Sequence, residues 1–204
     1  MKWFGVVSAC VAFVLIGALQ ALYGPALSAF RADFGISVPA AGLALSAHFV
    51  GGIAGVLGYA RSPWPGTGKL AASLVAMAAG AAGVALAPTW PLALVAAFVA
   101  GVGFGGIDYG CNDMFARAFQ RRGSAMLNVL NAHFGVGAIA GPLLIGLLGP
   151  DRYPAIFLGF AAVSLLLLAG LRGTAEAPTA EPAPPPPRRA SGNEGCWPRS
   201  SCST

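Results

Sequence analysis

The chain is a series of long apolar runs separated by short breaks that collect its charged and turn-forming residues. A bilayer core of about 30 Å is crossed by roughly 20 apolar residues in helical form. Six runs are long enough, at residues 3–30, 38–60, 70–87, 91–114, 124–148 and 153–171. The breaks at 31–35, 61–69, 88–91, 117–123 and 149–152 hold Arg, Lys, Asp, Gly and Pro. The pattern predicts an all-α polytopic membrane protein with six transmembrane helices. Because every connection is short, consecutive helices are expected to be antiparallel neighbours.

From residue 173 the pattern changes to a Thr/Ala/Glu/Pro stretch that holds seven of the 16 prolines. Such a segment has too little apolar surface to fold. The expected division is a six-helix domain over 1–172, made of repeats 1–87 and 88–172, and a disordered Pro-rich cytoplasmic tail over 173–204. The last dozen residues, with Cys, Trp and scattered Ser, resemble neither linker nor helix. They suggest a shifted reading frame or an early stop, with a natural tail carrying a proline-rich partner site as the alternative.

Composition supports the membrane reading. Of 204 residues, 56% are hydrophobic and 9% charged, against about 25% charged in ordinary soluble chains. A soluble enzyme, a DNA-binding domain and a disulfide scaffold are thereby excluded. The net charge of +5 does not imply a nucleic-acid partner, because the basic residues sit singly at the ends of apolar runs. Cys10, Cys111, Cys196 and Cys202 have neither disulfide nor zinc spacing, so no metal and no cofactor is expected. The Met-Lys-Trp start leads into a run longer than a signal peptide's apolar core of about 7–15 residues, and is read as a span.

Lys and Arg accumulate on the cytoplasmic side. With the N-terminus inside, Lys2, Arg61, Lys69, Arg117, Arg121, Arg122, Arg172 and the tail arginines are cytoplasmic, and only Arg31 and Arg152 face outward. Both termini are therefore expected in the cytoplasm of a cell with this protein in its inner membrane.

Two matches at nearly one offset suggest a duplicated three-helix unit, with coincidence among Ala- and Gly-rich helices as the alternative. Leu45-Ser-Ala-His48-Phe49, then Gly52, recurs as Leu130-Asn131-Ala-His133-Phe134, then Gly137. Tyr23-Gly24 recurs as Tyr109-Gly110. Three helices per copy make the second copy enter the membrane from the opposite side, an inverted repeat of the kind that secondary transporters use around a midplane site. The pairs Gly51/Gly55, Gly101/Gly105, Gly106/Gly110 and Gly137/Gly141 are small-xxx-small motifs that let helix backbones approach.

Ionisable groups in hydrocarbon are costly and usually face a partner or a cavity. Asp108 is the carboxylate well inside an apolar run, and Asn112 shares its face one turn later. Asn128 and Asn131 share a face of the fifth helix, Gln20 and Tyr23 a face of the first, and His48 and His133 lie on the second and fifth. Amides and imidazoles can simply join helices by hydrogen bonds. Asp108 points to more, because a neutral residue could do that without a buried charge, and a carboxyl group that gains and loses a proton is what a proton carrier needs. The run Gly101-Val-Gly103-Phe-Gly-Gly106 matches GxGxxG but lies in a membrane helix with no preceding strand, so it is not a dinucleotide site. No catalytic motif is present, and an intramembrane enzyme using His48 or His133 is a remote third reading.

The stretch Gly103-Phe-Gly-Gly-Ile-Asp108-Tyr-Gly-Cys-Asn112, followed by Met126-Leu-Asn128-Val-Leu-Asn131-Ala-His-Phe-Gly135-Val-Gly137, resembles the N-terminal six-helix half of a major facilitator superfamily transporter. It is most similar to the fucose-permease branch of sugar:proton symporters. The resemblance implies that Asp108 stands in the place of the proton-linked acid and that Asn112, Asn128 and Asn131 lie in or beside the cavity. Two departures stand out: the first helix has Gln20 and Tyr23 and no carboxylate, and the loop from Gly58 to Lys69 lacks the aspartate of the gating motif.

The expected function is half of a secondary transporter that moves a small polar solute, a sugar by resemblance, by alternating access with proton coupling. Substrate-binding candidates are Gln20, Tyr23, His48, Asn112, Asn128, Asn131 and His133, with Asp108 coupling protons. Expected partners are membrane lipid, the solute, and a missing second half or a second copy. The alternative is a truncated, non-transporting fragment or a helical bundle that binds a partner.

Overall fold

The computed structural model describes residues 3–171 and holds six long helices. They are α1 (Trp3–Phe34), α2 (Val38–Arg61), α3 (Gly66–Leu86), α4 (Trp90–Phe119), α5 (Gly123–Leu148) and α6 (Tyr153–Gly170). Single 3-10 turns, Gln120–Arg122 and Pro150–Arg152, lead into α5 and α6. Strands are absent among the described residues, and all six helices are long and apolar enough to cross a membrane. The tail over 173–204 lies outside the described residues.

Two helices run through expected breaks. α1 continues past Arg31 and Asp33 to Phe34, and with 32 residues is about 48 Å long at 1.5 Å per residue. It ends where Gly35 takes φ +62°, the left-handed conformation that glycine adopts without a Cβ penalty. α4 likewise passes Arg117, whose Nε donates to Asp113 Oδ1 at 2.9 Å one turn away. Charge alone does not stop a helix: once the chain leaves hydrocarbon, intrahelical bonds persist and the charged side chains reach water. The next start has its own signal, since Ser37 Oγ accepts from the Ala40 amide at 3.4 Å and Pro39 follows it.

The expectation that consecutive helices are neighbours holds for α3 and α4 and weakly for α1 with α2 and α4 with α5, but most of the remaining packing departs from it. α2 lies mainly against α4, α1 against α5, and α3 against α4 and α6, whereas α2 and α3 have no extensive contact. α1 and α4 thus form the middle, α3 and α6 pack together behind them, and α2 and α5 flank the front. A short loop fixes direction and reach. It does not fix which face has the shape to pack, and here small residues decide that.

All four glycine pairs lie at these crossings. A Cβ at Gly51 or Gly55 of α2 would overlap the Phe98 or Val102 carbonyl of α4, and one at Gly101 or Gly105 would overlap the His48 or Gly52 carbonyl of α2. Gly137 and Gly141 of α5 meet the Val14 and Ala18 carbonyls of α1 in the same way, and Gly17 of α1 meets that of Phe134. Gly106 and Gly110 instead make room for Ser73, Tyr59 and Leu70.

These contacts reveal the repeat's true register. Gly51 against Phe98 corresponds to Gly137 against Val14, Gly55 against Val102 to Gly141 against Ala18, and Gly101 against His48 to Gly17 against Phe134. His48 is therefore equivalent to Phe134 and not to His133. The His-Phe phrases are one residue out of phase with the fold and the Tyr-Gly phrases two, since Gly17 corresponds to Gly101 and Tyr23 therefore to Ile107, and a one-residue shift turns a helical side chain by about 100° onto another face. The two-copy arrangement is real in the packing, while the identical letters that suggested it do not occupy equivalent places.

Gly105→Val should cost about 1–3 kcal/mol of stability, as overpacking of a well-filled interior does, because the obstacle is backbone and cannot rotate away. Gly42→Ala, on the same pair of helices but with open space at its Cβ, should be neutral or stabilising by up to about 1 kcal/mol. Thermal unfolding of the two variants in detergent checks the contrast, and equal effects would mean the α2 and α4 backbones do not touch.

Candidate functional site

Aromatic rings tie five of the six helices together at mid-height. Phe157 of α6 meets Tyr23 of α1 at 5.5 Å between centroids, Tyr23 meets His48 of α2 at 5.0 Å, His48 meets Phe104 of α4 at 5.1 Å, and Phe104 meets Phe134 of α5 at 6.4 Å. Tilted and edge-on geometries of this kind are favoured because the positive ring edge faces a negative ring face. Phe104, Phe134 and Phe157 were not among the candidates read from the sequence. The repeated His-Phe phrase held the available signal, since its second copy presents the phenylalanine to the chain where its first copy presents the histidine.

Tyr23 and His48 are fully buried and offer no surface to a solute in this conformation. Tyr23 Oη and both His48 ring nitrogens lack a well-formed hydrogen bond to protein, although the ring interacts with the Ala97 backbone. His133 differs: it is half-buried, and its Nδ1 lies 2.7 Å from Val129 O of its own helix. Asn131 is exposed and its Nδ2 donates to Leu127 O at 2.9 Å.

Asp108 is half-buried on α4. Asn112 Nδ2 donates to Asp108 Oδ1 at 3.1 Å and to its backbone oxygen at 2.9 Å. The amide thus braces the carboxylate from one turn below and leaves its second oxygen available. Gln20 is half-buried on α1, and Asn128 is exposed on α5.

The Phe104–Phe134 contact organises the accessible polar groups. Asp108 lies four residues beyond Phe104, about 6 Å along the axis, and Asn131 three residues before Phe134, about 4.5 Å. Because α4 and α5 are antiparallel and joined by one short turn, both displacements run toward that turn. Asp108, Asn112, Asn128 and Asn131 therefore lie on one side of the aromatic layer. Gln20 lies on α1 between Gly17, which abuts Phe134, and Tyr23, and so stands at the height of the aromatic layer itself. The site so built offers one carboxylate and several amides in a wall of apolar helices, a set suited to hydroxyl groups and to a proton. No group of three or more His, Cys, Asp or Glu able to hold a metal occurs among the described residues.

Replacing Tyr23 by Phe should leave stability unchanged or raise it, because the ring contacts stay while an unpartnered buried hydroxyl, which costs about 1–3 kcal/mol, is removed. Tyr23→Ala should cost ~2 kcal/mol or more through the cavity it opens. Melting curves of both variants in detergent separate ring packing from hydroxyl chemistry.

A search of curated proteins found none that matches this chain. The sequence profile described as the Major Facilitator Superfamily matches residues 9–197. With six apolar helices in two interlocked sets of three and a profile match over most of its length, the chain belongs to the major facilitator superfamily of multi-pass membrane transporters.

Proposed function

We propose that the chain is the six-helix half of a secondary transporter that carries a small polar solute, a sugar of the kind handled by the fucose-permease branch, by alternating access with proton coupling. The observation that carries this reading is Asp108, a half-buried carboxylate inside a membrane helix whose side-chain partner is the neutral Asn112. A carboxylate held by an amide and not by a cation can exchange a proton without breaking an ion pair. Asn112, Asn128, Asn131, His133 and, at the height of the aromatic layer, Gln20 supply hydrogen bonds to the solute. Tyr23 and His48 act from behind by holding Phe104 in place.

A second six-helix bundle, another copy or a separate half, completes the path by covering the front. α5 and α2 are the least covered spans, with 22% and 33% of an apolar 18-residue stretch of each buried, and α5 exposes Val136, Ile139 and Leu143. The concentration of Arg and Lys at one end supports cytoplasmic termini in an inner membrane. A bundle that only binds a partner is the competing reading, favoured by the same uncovered face.

Uptake of radiolabelled monosaccharides into proteoliposomes containing the purified chain tests the proposal. Saturable uptake that rises with an inward proton gradient is expected, and Asp108→Asn should abolish the gradient dependence. Absence of saturable uptake overturns the transport reading. Uptake by Asp108→Asn that still follows the gradient overturns the role of Asp108 alone.

A further inference from the structure

The weak contact between α2 and α3 leaves a groove whose floor is α4. It encloses about 290 Å³, near the lower bound of the roughly 300–1,000 Å³ of small-molecule sites. The floor and walls are apolar, formed by Ala72, Ala76 and Val102. At one end stand Tyr59, Trp64 and Lys69. The groove thus changes along its length from hydrocarbon-like to aromatic and cationic.

The cation is held in position. Lys69 Nζ donates to the Tyr59 and Ser62 backbone oxygens, both at 3.4 Å, and sits 4.7 Å from the centre of the Tyr59 ring. Tyr59 is itself fixed by donating to Gly66 O at 3.3 Å. An ammonium has three donors, so one remains for a ligand. Neither α2, α3 nor the connection between them contains Asp or Glu, and Arg61 adds a second positive charge at the same end. Asp113, which interacts with Tyr59 from α4, is paired with Arg117. Trp64 is 61% exposed, as expected of an aromatic side chain at the level of the headgroups.

We propose that this groove is a binding site for one anionic phospholipid, with an acyl chain lying along Ala72, Ala76 and Val102 and the phosphate at Lys69. The occupant follows from the combination. An apolar channel bordered by exposed apolar residues such as Val75 of α3 takes a hydrocarbon chain, and basic pockets between membrane helices take anionic headgroups. The lipid fills the space that α2 and α3 leave between them, so its binding stabilises the folded bundle by mass action.

The test compares phosphatidylglycerol and phosphatidylcholine with matched acyl chains, added to the full chain purified in detergent, with melting temperature and native mass spectrometry as readouts. Phosphatidylglycerol should raise the melting temperature by several degrees more than phosphatidylcholine and give a one-lipid adduct. Lys69→Gln should erase the difference between the two lipids, Lys69→Arg should retain it, and Ala72→Leu, which fills the groove without touching the charge, should remove the adduct. Four outcomes would overturn the proposal: equal effects of the two lipids, an undiminished preference in Lys69→Gln, an equal shift from inorganic phosphate alone, or a protein dimer that Ala72→Leu disrupts. The third result would assign the site to a soluble phosphate and the last to a second copy of the chain.

Discussion

Backbone contact between helices is the constraint from which the rest of this structure follows. Inside a bilayer no hydrophobic force pulls one apolar helix toward another, because lipid tails are as apolar as leucine. Association depends on close packing, and packing is closest where no side chain intervenes. Here Gly51, Gly55, Gly101 and Gly105 place the backbones of α2 and α4 against each other, and Gly137 and Gly141 with Gly17 do so for α5 and α1. Each pairing joins one copy of the three-helix unit to the other, so neither copy completes its packing alone.

That exchange also explains the aromatic chain and the groove. Once α2 is held on α4, His48 is carried into the centre against Tyr23 and Phe104. Once α5 is held on α1, Phe134 arrives at Phe104 from the other side. The cost is that α2 turns away from its sequence neighbour α3, and the space between them opens toward lipid. Polar groups divide accordingly: Tyr23 and His48 are sealed behind the rings, while Asp108 and the amides near the α4–α5 turn stay partly accessible.

Much of this was legible in residues. The six spans follow from runs of apolar side chains longer than a bilayer requires, and the glycine pairs at four-residue spacing marked helix faces that meet. Asp108 and Asn112 stood out because a carboxylate inside an apolar run demands a partner, and the hydrogen bond between them was readable from their spacing on one helix. The helix ends at Phe34 and Phe119 were not, since charge was taken as a stop and only backbone conformation, as at Gly35, is one. Phe104 and Phe134 were not read as a pair, since nothing in a one-dimensional pattern tells a ring that faces a neighbouring helix from one that faces lipid.

The sequence by itself determined that the chain has six spans apolar enough to cross a membrane and which polar groups lie inside them; it suggested two related units of three helices only through phrases that the fold does not keep in register. Those are properties of composition and spacing, which hydrocarbon reads directly. Only the tertiary structure decided which helices pair and in what register, because a rotation of about 100° per residue lets a repeat written His48/His133 be folded as His48/Phe134. The same rotation decided that one histidine is enclosed by rings and the other bonds to its own helix.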